Sequence, residues 1–147
     1  MPARALHSEF DRADDSTGLM LWRVANAWQA AQRRALKPFE LTHVQFVLLA
    51  SLTWLEGDIP VTQQALASHA GTDPMMTSQV VRTLETAALI ERAPHPDDGR
   101  ARLLTVTPAG RELANRAISA VETCDREFFD TLGADRVQFT RMLAQLV

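Results

Sequence analysis

The chain has little of what stabilises secreted proteins or anchors membrane proteins. Its 147 residues include one cysteine, Cys124, which excludes an intrachain disulfide framework. The first residues lack the apolar core of a secretory signal, so we expect a cytoplasmic protein. The longest apolar run, Val44 to Leu55, is too short to span a bilayer and is interrupted by Gln45, Ser51 and Thr53. We expect no contact with a membrane.

Signatures of enzymes and metal sites are also missing. The sequence has no Gly-rich phosphate loop, no His-Glu-x-x-His and no nucleophile elbow. The four histidines show no metal-ligand spacing: they are His7, His43, His69 and His95. We therefore expect no catalytic residues, no metal and no cofactor.

The net charge of −3 argues against a protein that binds any polyanion. The distribution of charge matters more than its total, however. Five arginines fall in one segment: Arg82, Arg92, Arg100, Arg102 and Arg111. The segment predicts a modest basic surface and DNA binding that weakens steeply with salt.

That segment belongs to a stretch, residues 62–110, that predicts two short helices and a hairpin. Thr62 is a good N-cap, and Gly71 follows the last apolar position of a helix from about Gln63 to Ala70. Asp73-Pro74 then combines a cap with a first-turn proline and starts a second helix, which ends near Ala87. Two helices joined by so short a turn predict a helix-turn-helix.

The second helix has two contrasting faces. We predict that Met76, Val80 and Leu84 pack inward with Val81 beside them. The opposite face carries Met75 and four candidate DNA contacts: Thr77, Ser78, Gln79 and Arg82. Hydroxyl and amide groups near the helix start, with an arginine one turn on, suit base edges and phosphates. An ordinary solvated helix face is the alternative.

Two short runs, Leu89–Ala93 and Ala101–Val106, predict the hairpin. The Asp98-Gly99 pair supplies the turn, and Arg100 at the tip is the candidate for minor-groove contact, with Asp98 and Arg102 in support. A surface ion pair between Asp98 and Arg100 is the alternative. Ile59-Pro60-Val61 is expected to add a third, edge strand.

These residues resemble the MarR (multiple antibiotic resistance regulator) family of transcription factors along nearly the whole chain. The matching pieces are Leu41-Thr42 before Gln45–Leu49, Leu66-Ala67, Leu84-Glu85, Leu89–Arg92, Asp98–Arg100 and Leu104–Gly110. The resemblance implies a mainly α fold with a small β-wing, in which a winged helix-turn-helix lobe joins a dimerisation region of terminal helices. Ala88 departs from the family, which often has glycine there, so either Ala88 adopts a strained conformation or the helix ends differently.

The remaining chain predicts four more helices. Their expected bounds are Ser16 or Thr17 to Leu36, Thr42 to Glu56, Pro108 to Phe129 or Leu132, and Asp135 to Leu146. We divide the chain into a loose arm (1–15), N-terminal helices (16–58), the DNA-binding lobe (59–106) and C-terminal helices (107–147). Apolar terminal helices beside a lobe with its own core favour a twofold homodimer. Such a dimer would place its recognition helices roughly 34–36 Å apart on a palindromic operator.

The resemblance also implies a small aromatic effector, bound between the dimer helices and the lobe, that weakens DNA binding and so relieves repression. Candidate contacts are Trp22, Trp28, His43 and Phe46, and a protonated His43 could pair with a carboxylate. Core or dimer packing is at least as good an interpretation for the tryptophans and Phe46, and His43 could equally be a solvent-facing residue of the first helical turn. Two further alternatives are redox sensing through Cys124, which acidic neighbours disfavour, and a winged lobe that binds protein instead of DNA.

Overall fold

The computed structural model describes residues 5–55 and 61–147, and this part of the chain is mostly helical. It contains six α-helices and three short strands. The helices are α1 (Thr17–Leu36), α2 (His43–Leu55), α3 (Gln63–Ala70), α4 (Pro74–Thr86), α5 (Pro108–Phe128) and α6 (Arg136–Ala144). The strands are β1 (Val61–Thr62), β2 (Ile90–Pro94) and β3 (Arg102–Val106). The predicted fold class is confirmed.

The predicted helix starts coincide with capping side chains. Ser16 caps α1, and Thr42 exchanges hydrogen bonds of 3.2 and 3.0 Å with Gln45 at the start of α2. The Asp73 carboxylate accepts two backbone N–H groups at the start of α4. Each cap pairs amide groups that a helix cannot pair internally, so the helices begin where the sequence places a short polar side chain.

The three strands form one antiparallel sheet in the order β1-β3-β2. Val61 lies opposite Leu104, and Ile90 lies opposite Val106. The predicted edge strand is therefore present at Val61, while Ile59 and Pro60 lie outside the described residues, as does the predicted end of α2 at Glu56. Of the predicted loose arm, residues 13–15 form a short, exposed 3-10 helix.

Two apolar clusters form the core. The first fills the lobe between α2, α3, α4, the sheet and the start of α5, with residues Leu48, Leu49, Leu52, Leu66, Val81, Leu84, Ile90, Leu104 and Ala114 at its centre. The second joins α1, α2 and α5 through Leu36, Leu41, Phe46, Ala117 and Val121. Helices α2 and α5 contribute to both clusters, so the core continues across the segment boundaries that we drew at residues 58 and 106.

The turn after α4 is bound to the start of α5. Ala88 adopts the left-handed conformation, with φ of 60°, and the Leu89 amide donates to the Leu84 carbonyl. This is the pattern with which a glycine usually ends a helix. The Thr107 hydroxyl donates to the Ala88 carbonyl at 2.7 Å and accepts the Gly110 amide at 3.0 Å. One side chain thus caps α5 and holds the end of α4.

Gly110 allows this close contact. A Cβ atom at position 110 would lie 2.0 Å from the Leu89 carbonyl oxygen and 3.0 Å from the Val106 side chain. Any residue other than glycine would force α5 away from the turn, because the obstructing atoms belong mainly to the backbone. The glycine in the Thr-Pro-x-Gly segment is therefore required by packing.

Replacing Ala88 with glycine should stabilise the fold by about 1 kcal/mol, because the left-handed conformation strains an L-residue more than glycine costs in chain entropy. Urea unfolding followed by circular dichroism measures the change. Ala87→Gly is the matched control: Ala87 has φ of −79°, so it should gain nothing. Equal stability of Ala88→Gly and the parent chain would contradict the strain at position 88.

Candidate nucleic-acid interface and ligand site

Helix α4 buries Val81 and Leu84 and packs Val80 against the core, as predicted, but Thr77 is buried where Met76 was expected. Thr77, Val81 and Leu84 are at most 2% exposed and point into the core, whereas Met76 is 43% exposed. The three buried residues follow the i, i+4, i+7 spacing of a helical stripe. The predicted inward position of Met76 is therefore wrong.

Thr77 has to be removed from the candidate DNA contacts. Its side chain is fully buried, and its hydroxyl bonds the Asp73 carbonyl at 2.8 Å and the Thr72 hydroxyl at 2.7 Å. These bonds hold the turn of the helix-turn-helix. The sequence suggested base contact because threonine is polar, but a hydroxyl with local partners can occupy a core position.

The other three candidates on α4 remain accessible. Gln79 and Arg82 are exposed, and Ser78 is partly buried. No described residue pairs with the Arg82 guanidinium. The surface of α4 opposite the core therefore presents one amide and one cation.

The wing is shaped by its own backbone and by Asp98. The Asp98 carboxylate accepts the Arg100 amide at 3.0 Å, and the Ala101 amide donates to the Asp98 carbonyl. The Arg102 guanidinium donates to the Gly99 carbonyl at 3.3 Å. Asp98 therefore contacts the backbone of Arg100 and not its guanidinium, so the ion-pair alternative is not what the geometry shows. Among the described residues, nothing engages the exposed Arg100 guanidinium.

A groove of about 820 Å³ runs between the wing and the helix-turn-helix. The starts of α3 and α4 contribute Gln63, Gln64 and Pro74 to its wall, and the wing tip contributes Asp98 and Arg100. The tip is therefore on the side of the lobe where α4 begins. It is not folded away from the helix-turn-helix.

An ion pair that we did not predict connects α4 to the sheet. Arg92 on β2 lies 3.4 Å from Glu85 near the end of α4, and both side chains are partly buried. Arg92 is therefore occupied within the lobe and contributes less to a basic DNA surface than the sequence suggested.

The effector candidates separate into different environments. The Trp28 and His43 rings meet edge to face with centroids 4.9 Å apart. Trp22 is 69% exposed on another side of α1, and Phe46 is 5% exposed within the second core cluster. Phe46 therefore belongs to the core, which was the alternative we gave, and a ligand cannot reach it without displacing core packing.

Two residues that we did not single out complete the environment of Trp28. The Asp125 carboxylate accepts the Trp28 indole N–H at 2.7 Å and the Gln32 amide N–H at 2.6 Å. A signal for Asp125 was present in the sequence, since it is the one charged residue in a stripe that also carries Val121 and Phe128. We call Trp28, Gln32, His43 and Asp125 the polar cluster.

Comparison with known proteins decides the family. A sequence model described as the MarR family matches residues 41–101. An uncharacterized HTH-type transcriptional regulator of Bacillus subtilis, YdcH, is 45% identical over 84% of both chains. The chain belongs to the MarR family. It is a MarR-family transcriptional regulator, and its described helices include none long and apolar enough to cross a membrane.

Solved structures of MarR-family and other regulators share the fold. The Mycobacterium tuberculosis MarR family protein Rv2887, solved with salicylic acid, is 34% identical with a TM-score of 0.70, covering 92% of this chain and all of that one. CouR from Rhodococcus jostii RHA1, bound to p-coumaroyl-CoA, is 25% identical with a TM-score of 0.80, covering 92% and 94%.

Burial changes the acid–base behaviour of two candidates in this MarR-family chain. Desolvation lowers the pKa of His43, outweighing the opposite effect of Asp125, and Arg33 lowers it further. His43 is thus neutral at pH 7. Desolvation, then Asp125 and Glu127, raise the pKa of Cys124, which disfavours the thiolate that redox sensing requires.

The lowered pKa of His43 should make stability depend on pH. The unfolded chain takes up a proton at position 43 below about pH 6.5, while the folded chain resists it, so stability should fall as pH drops through that range. His43→Gln should reduce this fall between pH 7.5 and 5.5, as measured by urea unfolding. His69→Gln, an exposed histidine on α3, is the control and should retain the parent's pH dependence. The same pH dependence in both variants would contradict the prediction.

Proposed function

We propose that this regulator is a cytoplasmic homodimeric repressor that binds a palindromic operator and is released by a small ligand. In the proposed complex α4 lies in the major groove and the wing reaches the adjacent minor groove. The observation that carries the proposal is the exposure of Gln79 and Arg82 on α4 together with Arg100 at the wing tip. All three side chains are exposed, and residues of both α4 and the wing line the same groove.

The proposed DNA surface carries few charges, which favours specific over indiscriminate binding. Arg92 is paired with Glu85, and Arg102 holds the wing backbone. Arg82 and Arg100 are left as the principal free cations of α4 and the wing. A dimer doubles them, and direct contacts by Ser78 and Gln79 would supply base recognition.

The chain ends support the dimer. Helix α6 has no buried residue, and the apolar side chains exposed on α1, on α6 and directly after α6 include Leu21, Trp22, Val137, Met142 and Leu146. Apolar groups gain about 25 cal/mol for each Å² removed from water, so pairing the terminal helices of two chains would be favourable. We propose that segments 16–58 and 107–147 dimerise while 59–106 binds DNA.

Relatives support the role of repressor with an effector. Rv2887, which is named an HTH-type transcriptional repressor, is 35% identical over 91% of this chain. Salicylic acid is bound in its structure, and p-coumaroyl-CoA is bound in that of CouR. Trp28 and His43 are the candidate effector contacts that the fold brings together.

Arg100→Ala and Arg82→Ala should each weaken operator binding by about 1–3 kcal/mol and reduce its dependence on salt, because each removes a cation that faces DNA. The operator is first obtained by selecting and sequencing bound genomic fragments, and affinity is then measured by fluorescence anisotropy at several salt concentrations.

Lys37→Ala, which removes an exposed cation at the end of α1, is the matched control and should bind like the parent chain. Equal losses in all three variants would indicate a general charge effect. Unchanged affinity of both arginine variants, at unchanged oligomeric state, would favour a lobe that binds protein.

Leu146→Asp should weaken the dimer, because it places a charge on a side chain that we expect to be covered by the second chain. Multi-angle light scattering at micromolar concentration should give twice the chain mass for the parent and a lower mass for the variant. Met75→Asp changes an exposed apolar residue of segment 59–106, which we place outside the dimer surface, and should leave the mass unchanged. A monomeric parent chain would exclude the proposed dimer.

A further inference from the structure

The polar cluster contains a buried hydrogen-bond acceptor without a donor. Gln32 is fully buried, and its Oε1 has no hydrogen-bond partner. Its amide cannot simply be reversed, because Oε1 would then face Asp125 Oδ1, which lies 2.6 Å from Nε2, with no hydrogen between two acceptors. Leaving such an atom unpaired in the protein interior destabilises the fold. Gln32 therefore adds an unpaired acceptor, and no donor, to the buried side of the cluster.

The neighbouring polar atoms also offer acceptors and no free donor. Both described bonds to Asp125 fall on Oδ1, so the second carboxylate oxygen is free to accept more. The indole N–H of Trp28 is already used. The free polar atoms of Gln32 and Asp125 are thus acceptors, and the site lacks donors.

The shape of the cluster suits a flat ring. The Trp28 and His43 rings stand at 72° to each other, and together they offer aromatic faces and edges beside the carboxylate. Trp28, His43 and Asp125 are each partly exposed, so a small molecule can reach them from solvent. Aromatic faces attract cations, which adds to the attraction of Asp125.

The positive charge of Arg33 does not make the polar cluster favour an anionic ligand. Arg33 acts on His43 but is itself exposed, so solvent screens its charge. The burial that keeps His43 neutral also removes the imidazolium that we first expected to pair with a ligand carboxylate. A carboxylate at this position would bring two more acceptors toward Gln32 and Asp125.

We propose that the polar cluster binds planar aromatic ligands that carry cationic or N–H donor groups, such as amidines and amino-substituted heteroaromatics, in preference to aromatic carboxylates. The donors of such a ligand bond the free oxygen of Asp125 while its ring contacts Trp28 and His43. The ligand class differs from the salicylic acid bound to Rv2887 and from the aromatic acid that the sequence suggested. That such a ligand also regulates DNA binding rests on the proposed function.

Three probes of equal size test the ligand class: benzoate, benzamide and benzamidine. Isothermal titration of the full-length protein at pH 7.5 should give the tightest binding for benzamidine, at least ten-fold tighter than for benzoate, with benzamide between them. In a Trp22→Phe/Trp54→Phe background, Trp28 is the remaining tryptophan, so its fluorescence reports whether the probe binds beside it.

Asp125→Asn should reduce benzamidine affinity at least ten-fold and leave benzoate binding equal or tighter. Asp130→Asn, an exposed acid beyond the end of α5, is the matched control and should keep the parent's order of affinities. Thermal unfolding of both variants establishes that they fold. The order of probe affinities measured on the parent chain tests the proposal without any variant.

Benzoate binding as tightly as benzamidine would overturn the proposal, as would no detectable binding of any probe at millimolar concentration. A benzamidine preference retained in Asp125→Asn, or one without a Trp28 signal, would place binding elsewhere and overturn it too. If the probes bind in the expected order of affinity but none of them changes operator affinity, the proposed ligand class is supported. The proposed release of DNA by such a ligand is then contradicted. The two proposals thus fail separately.

Discussion

The contact between the turn after α4 and the first turn of α5 holds the two functional parts of the molecule together. Thr107 bonds the Ala88 carbonyl, and Gly110 leaves room for the Leu89 carbonyl. From there α5 passes through both core clusters, with Ala114 in the first and Ala117 and Val121 in the second. The position of α4 relative to the rest of the protein is therefore set at one backbone contact, which tolerates no side chain at residue 110.

Local features of the fold were predictable from the sequence because their causes are local. Caps such as Thr62 and Asp73, with Gly71 ending α3, bond residues only a few positions away. The pairing of β2 with β3 followed from a short hairpin with turn residues at its tip. The left-handed Ala88 was one of two possibilities that the sequence left open, and the structure selects it.

The features that the sequence did not reveal depend on packing between distant segments. The hydrogen bond between Gln32 and Asp125 joins residues 93 positions apart. The sequence around either residue gives no indication of this contact. On α4, Thr77 and Met76 are adjacent, so a small rotation of the helix decides which of the two is buried while Val81 and Leu84 stay in the core. Hydrophobicity favoured Met76 for the core, but the hydroxyl partners around Thr77 decided the outcome.

The absence of buried side chains in α6 has a consequence for how the cell would handle this protein. A helix of nine residues is marginal in water unless something packs against it. In a chain without the partner of the proposed dimer, helix α6 would therefore often unfold and be open to proteases, whereas dimerisation would protect it. Degradation would then remove unpaired copies first and so couple the lifetime of the protein to its abundance.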